Sequence, residues 1–121
     1  MEQKKTLVIG ASENPERYSN KAIRSLRMHG HPVVAIGLRE GQVADVHFGK
    51  EQTAFEDIDT VTLYLNPQRQ VAYYDYILSL KPKRIIFNPG TENAGLEQLA
   101  AQQGVVTMQA CTLVLLSTGQ Y

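Results

Sequence analysis

The sequence predicts an α/β fold: a doubly wound, five-stranded parallel sheet, strand order 3-2-1-4-5, in a single domain. Three observations lead there. Short apolar runs recur along the 121 residues, most of them followed by a stretch with helical spacing. Strands alternating with helices imply parallel pairing through right-handed crossovers. The length suffices for one core with helices on both faces of a sheet, and for no second core.

The first strand is Thr6 to Gly10, TLVIG, apolar enough to be buried on both faces. A helix from Ser19 to His29 follows, with Ser19 as its cap and Ala22, Ile23 and Leu26 as its inner stripe. Gly30 and Pro32 end it, and Pro32 to Gly37 forms the second strand. From Arg39 to Asp59 neither period holds, so a loop with one short strand or turn is expected. Thr60 to Leu65 is the third strand. Asn66-Pro67 opens a helix as cap and first residue, with Val71, Tyr74, Ile77 and Leu78 facing inward. Arg84 to Phe87 is the fourth strand, Asn88-Pro89-Gly90-Thr91 a turn, and Asn93 through Leu96, Leu99 and Ala100 to Gly104 a helix. Val105 to Met108 is the fifth strand, and Cys111 to Leu116 a short closing helix.

Twelve basic and twelve acidic side chains cancel. A neutral chain has no general attraction for nucleic acid or an anionic membrane, so any anion site must be local. One cysteine, Cys111, allows no internal disulfide and fits a reducing cytoplasm. No signal-like hydrophobic stretch is present, and the apolar runs are too short to span a membrane.

In this fold ligands bind beyond the carboxyl ends of the strands. The segments there follow Gly10, Leu65 and Phe87, and all are rich in Gly, Ser, Asn or Pro. The first reads VIGASENPERYSNK. A helix N-terminus binds phosphate through free N–H groups and the helix dipole. Gly10 permits close approach, Ala11 and Ser12 are small, Ser12 and Ser19 offer hydroxyls, and Arg17 a charged fork. The plainer account is a βα turn with nothing bound. Neither G-x-G-x-x-G nor G-x-x-x-x-G-K-[ST] occurs. After the second strand stands Gly37-Leu38-Arg39 instead of the carboxylate an NAD site uses on the ribose. That favours a nucleotide with an extra ribose phosphate, NADP or coenzyme A, while an exposed loop cation explains Arg39 equally well.

The stretch GASENPERYS resembles the G-A-S-x-N-P-x-R-x-S signature of small CoA-binding proteins, which are similar to the CoA-binding domain of succinyl-CoA synthetases. HGHPVVAIG, Phe55-Glu56-Asp57-Ile58, Asn66-Pro67 and Asn93 to Gly104 extend the likeness over the chain. The resemblance implies a Rossmann-like domain that binds coenzyme A or an acyl-CoA without catalysing a reaction. It implies the CoA diphosphate on Gly10, Ala11 and Ser12, with Asn14 in the same motif and Arg17, Tyr18 and Ser19 alongside. The adenosine and its 3′-phosphate would lie near Gly37, Leu38 and Arg39. The pantetheine arm would pass Asn66 and Pro67 toward Asn88, Pro89 and Gly90, its thiol end near Cys111. Where the family commonly shows Asn-Pro-Lys, Gly37-Leu38-Arg39 keeps a cation and lacks the proline.

Nothing in the residues supplies a catalytic set. His29 and His31 flank Gly30 at a helix end, where a surface role or a helix-dipole partner is the ordinary reading, and His47 stands alone. None has metal-ligand spacing, so no metal is expected. Tyr73, Tyr74 and Tyr76 lie on a helix without an interleaved basic stripe, which fits packing rather than nucleic-acid stacking. The expectation is a nucleotide-binding module, with an unidentified protein partner left open. The alternatives are an NADP-binding oxidoreductase-type domain or an interaction module whose site has decayed.

Overall fold

A computed structural model describes residues 2–121. Strand β1 (Thr6–Ala11) leads to helix α1 (Tyr18–Met28) and strand β2 (Val33–Gly37). A hairpin of β3 (Gly41–Val43) and β4 (Val46–Phe48) follows, then β5 (Thr60–Leu63). Helix α2 (Pro67–Gln70) runs through a 3₁₀ turn (Val71–Tyr73) into α3 (Tyr74–Ser79). Strand β6 (Arg84–Phe87), helix α4 (Ala94–Gln102), strand β7 (Val106–Gln109) and helix α5 (Thr112–Ser117) complete the chain. No helix among the described residues is long and apolar enough to cross a membrane.

The doubly wound, five-stranded parallel sheet is present, and its order is β2-β1-β5-β6-β7. Counting only these five strands, that is 2-1-3-4-5 rather than the expected 3-2-1-4-5. The reason lies at the outer edge of β2. Gly49, just past the hairpin, bridges to Ile36 and accepts the Gly37 N–H at 2.9 Å, so the position beside β2 is already occupied. The chain then returns beneath the sheet, where Asp59 N–H bonds Lys5 O at 2.9 Å, and β5 pairs with the other side of β1.

Successive side chains of β1 point to opposite faces, as the strand period requires. Leu7 and Ile9 pack with Val61, Leu63, Ile85, Phe87, Ile77 and Leu96. Val8 and Ala11 pack with Ile23, Leu26, Val43, Val46, Phe48 and Leu116. Helices α1 and α5 with the hairpin therefore cover one face, and α3 and α4 the other. The connections after β1 and β5 leave to opposite faces, which opens a crevice between the ends of these two strands.

Local departures from expectation have physical causes. Helix α1 is preceded by Arg17 as cap residue, not Ser19, and Ser19 is buried in its first turn. The helix after Asn66 breaks into two, with Val71 60% exposed. Gln70 takes the inward position because its amide finds partners there. The irregular stretch contains a hairpin rather than one strand, tightened by Ala44 at φ 54. Leu99 stands at 37% exposure, on the rim of the α4 stripe.

His31 is buried, not on the surface. Its Nδ1 accepts the Lys4 N–H at 3.0 Å, and its ring lies 4.9 Å from that of Tyr121. Burial lowers its pKa below 6.5, with smaller contributions from His29, Lys4 and Arg84. A depressed histidine favours folding while neutral, so its contribution is complete above the unfolded value and fades as pH falls through it. The urea midpoint should therefore drop between about pH 7 and 5.5. His31→Asn, which retains an acceptor for Lys4, should flatten that limb; an equally steep decline in the variant would remove His31 as its source.

Candidate functional site

The crevice starts at Gly10. Its φ is 101°, and a Cβ there would meet the Tyr64 carbonyl carbon and oxygen at 3.0 Å. Glycine is required by both the dihedral and the space. The β1–β2 register shifts between Ile9 and Ala11, and the chain leaves the sheet after Ala11. Two local turns shape the loop from Ser12 to Glu16: Asn14 N–H bonds Ser12 Oγ at 3.1 Å, and Glu16 N–H bonds Asn14 Oδ1 at 3.0 Å. From within α1, Asn20 Nδ2 holds the Ser12 carbonyl at 2.9 Å. Helix α1 has no side-chain cap and no acid in its first turn, so the amides of Tyr18 and Ser19 face the crevice uncapped.

The opposite wall is set by buried amides. Gln70 Nε2 donates to Leu65 O at 2.9 Å and Thr91 O at 2.8 Å, tying two loops together. Its Oε1 accepts Asn93 Nδ2 at 2.9 Å, while Asn93 Oδ1 caps α4 on Leu96 N–H at 3.1 Å. Between these walls lies a groove of about 980 Å³, within the roughly 300–1,000 Å³ usual for small-molecule sites.

Twelve of the fifteen residues expected at the site line this groove: Gly10, Ala11, Ser12, Asn14, Arg17, Tyr18, Ser19, Leu38, Arg39, Asn66, Pro89 and Gly90. Gly37, Pro67 and Asn88 do not. Gly37 is a packing glycine, since a Cβ would come within 2.7 Å of Ala11 O and 2.8 Å of the Phe48 ring. Pro67 opens α2 behind Asn66, whose Oδ1 accepts Arg69 N–H at 2.9 Å. Asn88 is buried, donating to Thr62 Oγ1 at 2.6 Å and Leu63 O at 2.9 Å and accepting Thr112 N–H at 2.9 Å. It joins β5, β6 and α5.

Residues that the sequence reading missed also line the groove, notably Glu13, Glu40, Tyr64, Arg69 and Thr91. Glu13 Oε2 accepts Gln42 N–H at 2.9 Å, which fastens the loop to the hairpin. The Tyr64 hydroxyl is buried without a hydrogen-bond partner, and burial pushes its pKa well above the usual phenol value. Of these, Arg69 alone has a sequence signal that could have found it, a cation in the first turn of a helix opened by Asn-Pro. His47 lines a separate cavity of about 590 Å³ beside the hairpin. Cys111 is half-buried at the start of α5, outside the groove lining. Among the described residues no group of His, Cys, Asp and Glu is placed to hold a metal ion.

Asn88→Ala should cost at least about 2 kcal/mol in denaturant unfolding, because it strands Thr112 N–H and other buried polar groups. An unchanged midpoint would show that Asn88 is not the joint described.

A family model described as a CoA binding domain matches residues 4–117. No curated protein matches the chain. A crystal structure described as that of an uncharacterized protein is 46% identical, with full coverage of both chains and a TM-score of 0.97. Cell-free ID.343 from Thermus thermophilus shares the fold at 18% identity and a TM-score of 0.80, over 98% of this chain and 91% of that one. So does a hypothetical protein from Pyrococcus horikoshii, at 23% identity and a TM-score of 0.77, over 93% and 80%. With the groove at the switch point and a match across nearly its whole length, the chain belongs to the CoA-binding domain family.

Proposed function

We propose that this protein binds coenzyme A or an acyl-CoA in the groove as a non-catalytic module. The observation that carries the reading is the uncapped N-terminus of α1 facing a groove that Arg17 and Arg39 also line. In this reading the diphosphate takes the Tyr18 and Ser19 amides with Arg17, and Arg39 takes the ribose phosphate. The small Gly10-Ala11-Ser12 segment lets it approach. Ser12 Oγ accepts the Asn14 N–H, which leaves its own O–H free to donate. A cytoplasmic location belongs to the same reading, on the strength of the single cysteine.

Calorimetric titration with CoA, dephospho-CoA, NADP and NAD in parallel tests the assignment. CoA should bind and the nicotinamide nucleotides should not. A ligand at one hundred times its dissociation constant adds about 2.7 kcal/mol of stability, so thermal melts should agree. Arg17→Ala and Arg39→Ala should each weaken CoA binding by about 1–3 kcal/mol. Loss of the 3′-phosphate should abolish the Arg39 effect and leave that of Arg17. Tighter binding of NADP than CoA would overturn the assignment, and equal affinity for CoA and dephospho-CoA would remove the role given to Arg39.

A further inference from the structure

The six arginines divide cleanly. Arg27 pairs with Asp45 at 2.8 Å, Arg24 Nε bonds Asn20 Oδ1 at 3.0 Å, and Arg84 Nε bonds Thr60 Oγ1 at 3.0 Å. Arg17, Arg39 and Arg69 have no side-chain partner among the described residues, and all three line the one groove. A guanidinium is always charged and presents a fork of donors suited to carboxylate or phosphate. Arginines that fold stability can use are tied down elsewhere; those left free converge on one cleft.

Arg69 differs from the other two in its surroundings. Arg17 follows Glu16 and Arg39 precedes Glu40, and both of these carboxylates line the groove beside them. On the wall formed by Leu65, Asn66, Arg69, Pro89, Gly90 and Thr91, the arginine is the only charged side chain. The nearby Glu92 does not line the groove, and its Oε1 accepts the Gly90 N–H at 2.9 Å. The position of Arg69 is fixed from below: its own N–H is held by Asn66 Oδ1, and Gln70 anchors the same turn to Leu65 and Thr91. A cation is thus presented on a hydrogen-bonded turn at the wall of the groove.

We infer that Arg69 is an anion-binding residue of the groove, pairing with an anionic oxygen group of the bound CoA thioester from the wall opposite α1. This rests on the CoA reading above. Two parts of such a ligand carry that chemistry, the diphosphate and a free carboxylate at the end of an acyl arm. The probes that separate them are CoA and malonyl-CoA.

The experiment titrates wild-type protein, Arg69→Ala and Arg69→Lys with each probe. Arg69 is exposed, so unliganded melting temperatures should coincide. A loss of about tenfold for CoA in Arg69→Ala, partly restored in Arg69→Lys, identifies the diphosphate as the partner. Unchanged CoA affinity with a similar loss for malonyl-CoA identifies the carboxylate. If wild type binds both probes and Arg69→Ala binds them as tightly, the inference is overturned while the CoA assignment stands. If wild type binds neither, the CoA assignment fails first and the role of Arg69 with it.

Discussion

At Gly10 the chain must turn out of the sheet while the backbone of Tyr64 lies in van der Waals contact. Only a residue with no Cβ and free access to positive φ satisfies both demands, and the consequences spread outward. The bulge at Gly10 shifts the register so that Ala11 pairs with Gly37, and the chain leaves the strand at Ser12. Asn20 then catches the Ser12 carbonyl, and Asn14 closes two turns that deliver the chain to α1. The uncapped amides of that helix look into the crevice because the turn at Gly10 aims them there. A methyl group at this position would disturb the β1–β5 pairing and the groove together.

The second wall is held by different means. Gln70 is fully buried, yet each polar atom of its amide has a partner, and the same is true of Asn88 and Asn93. A buried amide left unpaired costs about 1–3 kcal/mol for each orphaned group, so such a network tolerates only one arrangement. It fixes the loops after β5 and β6 against each other. One wall is thus positioned by backbone geometry and the other by buried hydrogen bonds, and the arginines stand on both.

Much of this was legible in the residues. Apolar runs such as TLVIG and PVVAIG gave the strands, and the alternation gave the layers, because burial on both faces leaves a continuous apolar signature. The strand order was not legible. It depends on Gly49 occupying the edge of β2, a contact between segments that no periodicity encodes. Val71 and Gln70 were exchanged for a related reason: hydrophobicity places valine inside, whereas three hydrogen bonds place glutamine there. Asn88 and Gly37 read as site positions in the sequence, and their contacts give both a part in holding the fold. Asparagine and glycine serve loops and ligands alike, and only the contacts separate the two uses. His31 shows the converse, a polar residue at a helix end that tertiary packing buries.

The central claim is that the crevice between β1 and β5 is where the nucleotide lies. Amide chemical-shift mapping of the isotopically labelled protein during a CoA titration tests it most directly. The account predicts the largest shifts at Gly10 to Ser12, at Tyr18 and Ser19, and at Arg69 and Gly90. Lys4, His31 and Asp59, at the other end of the sheet, should stay unmoved. Shifts centred on His47 and Lys50 beside the hairpin, or at the Tyr121 end, would contradict it.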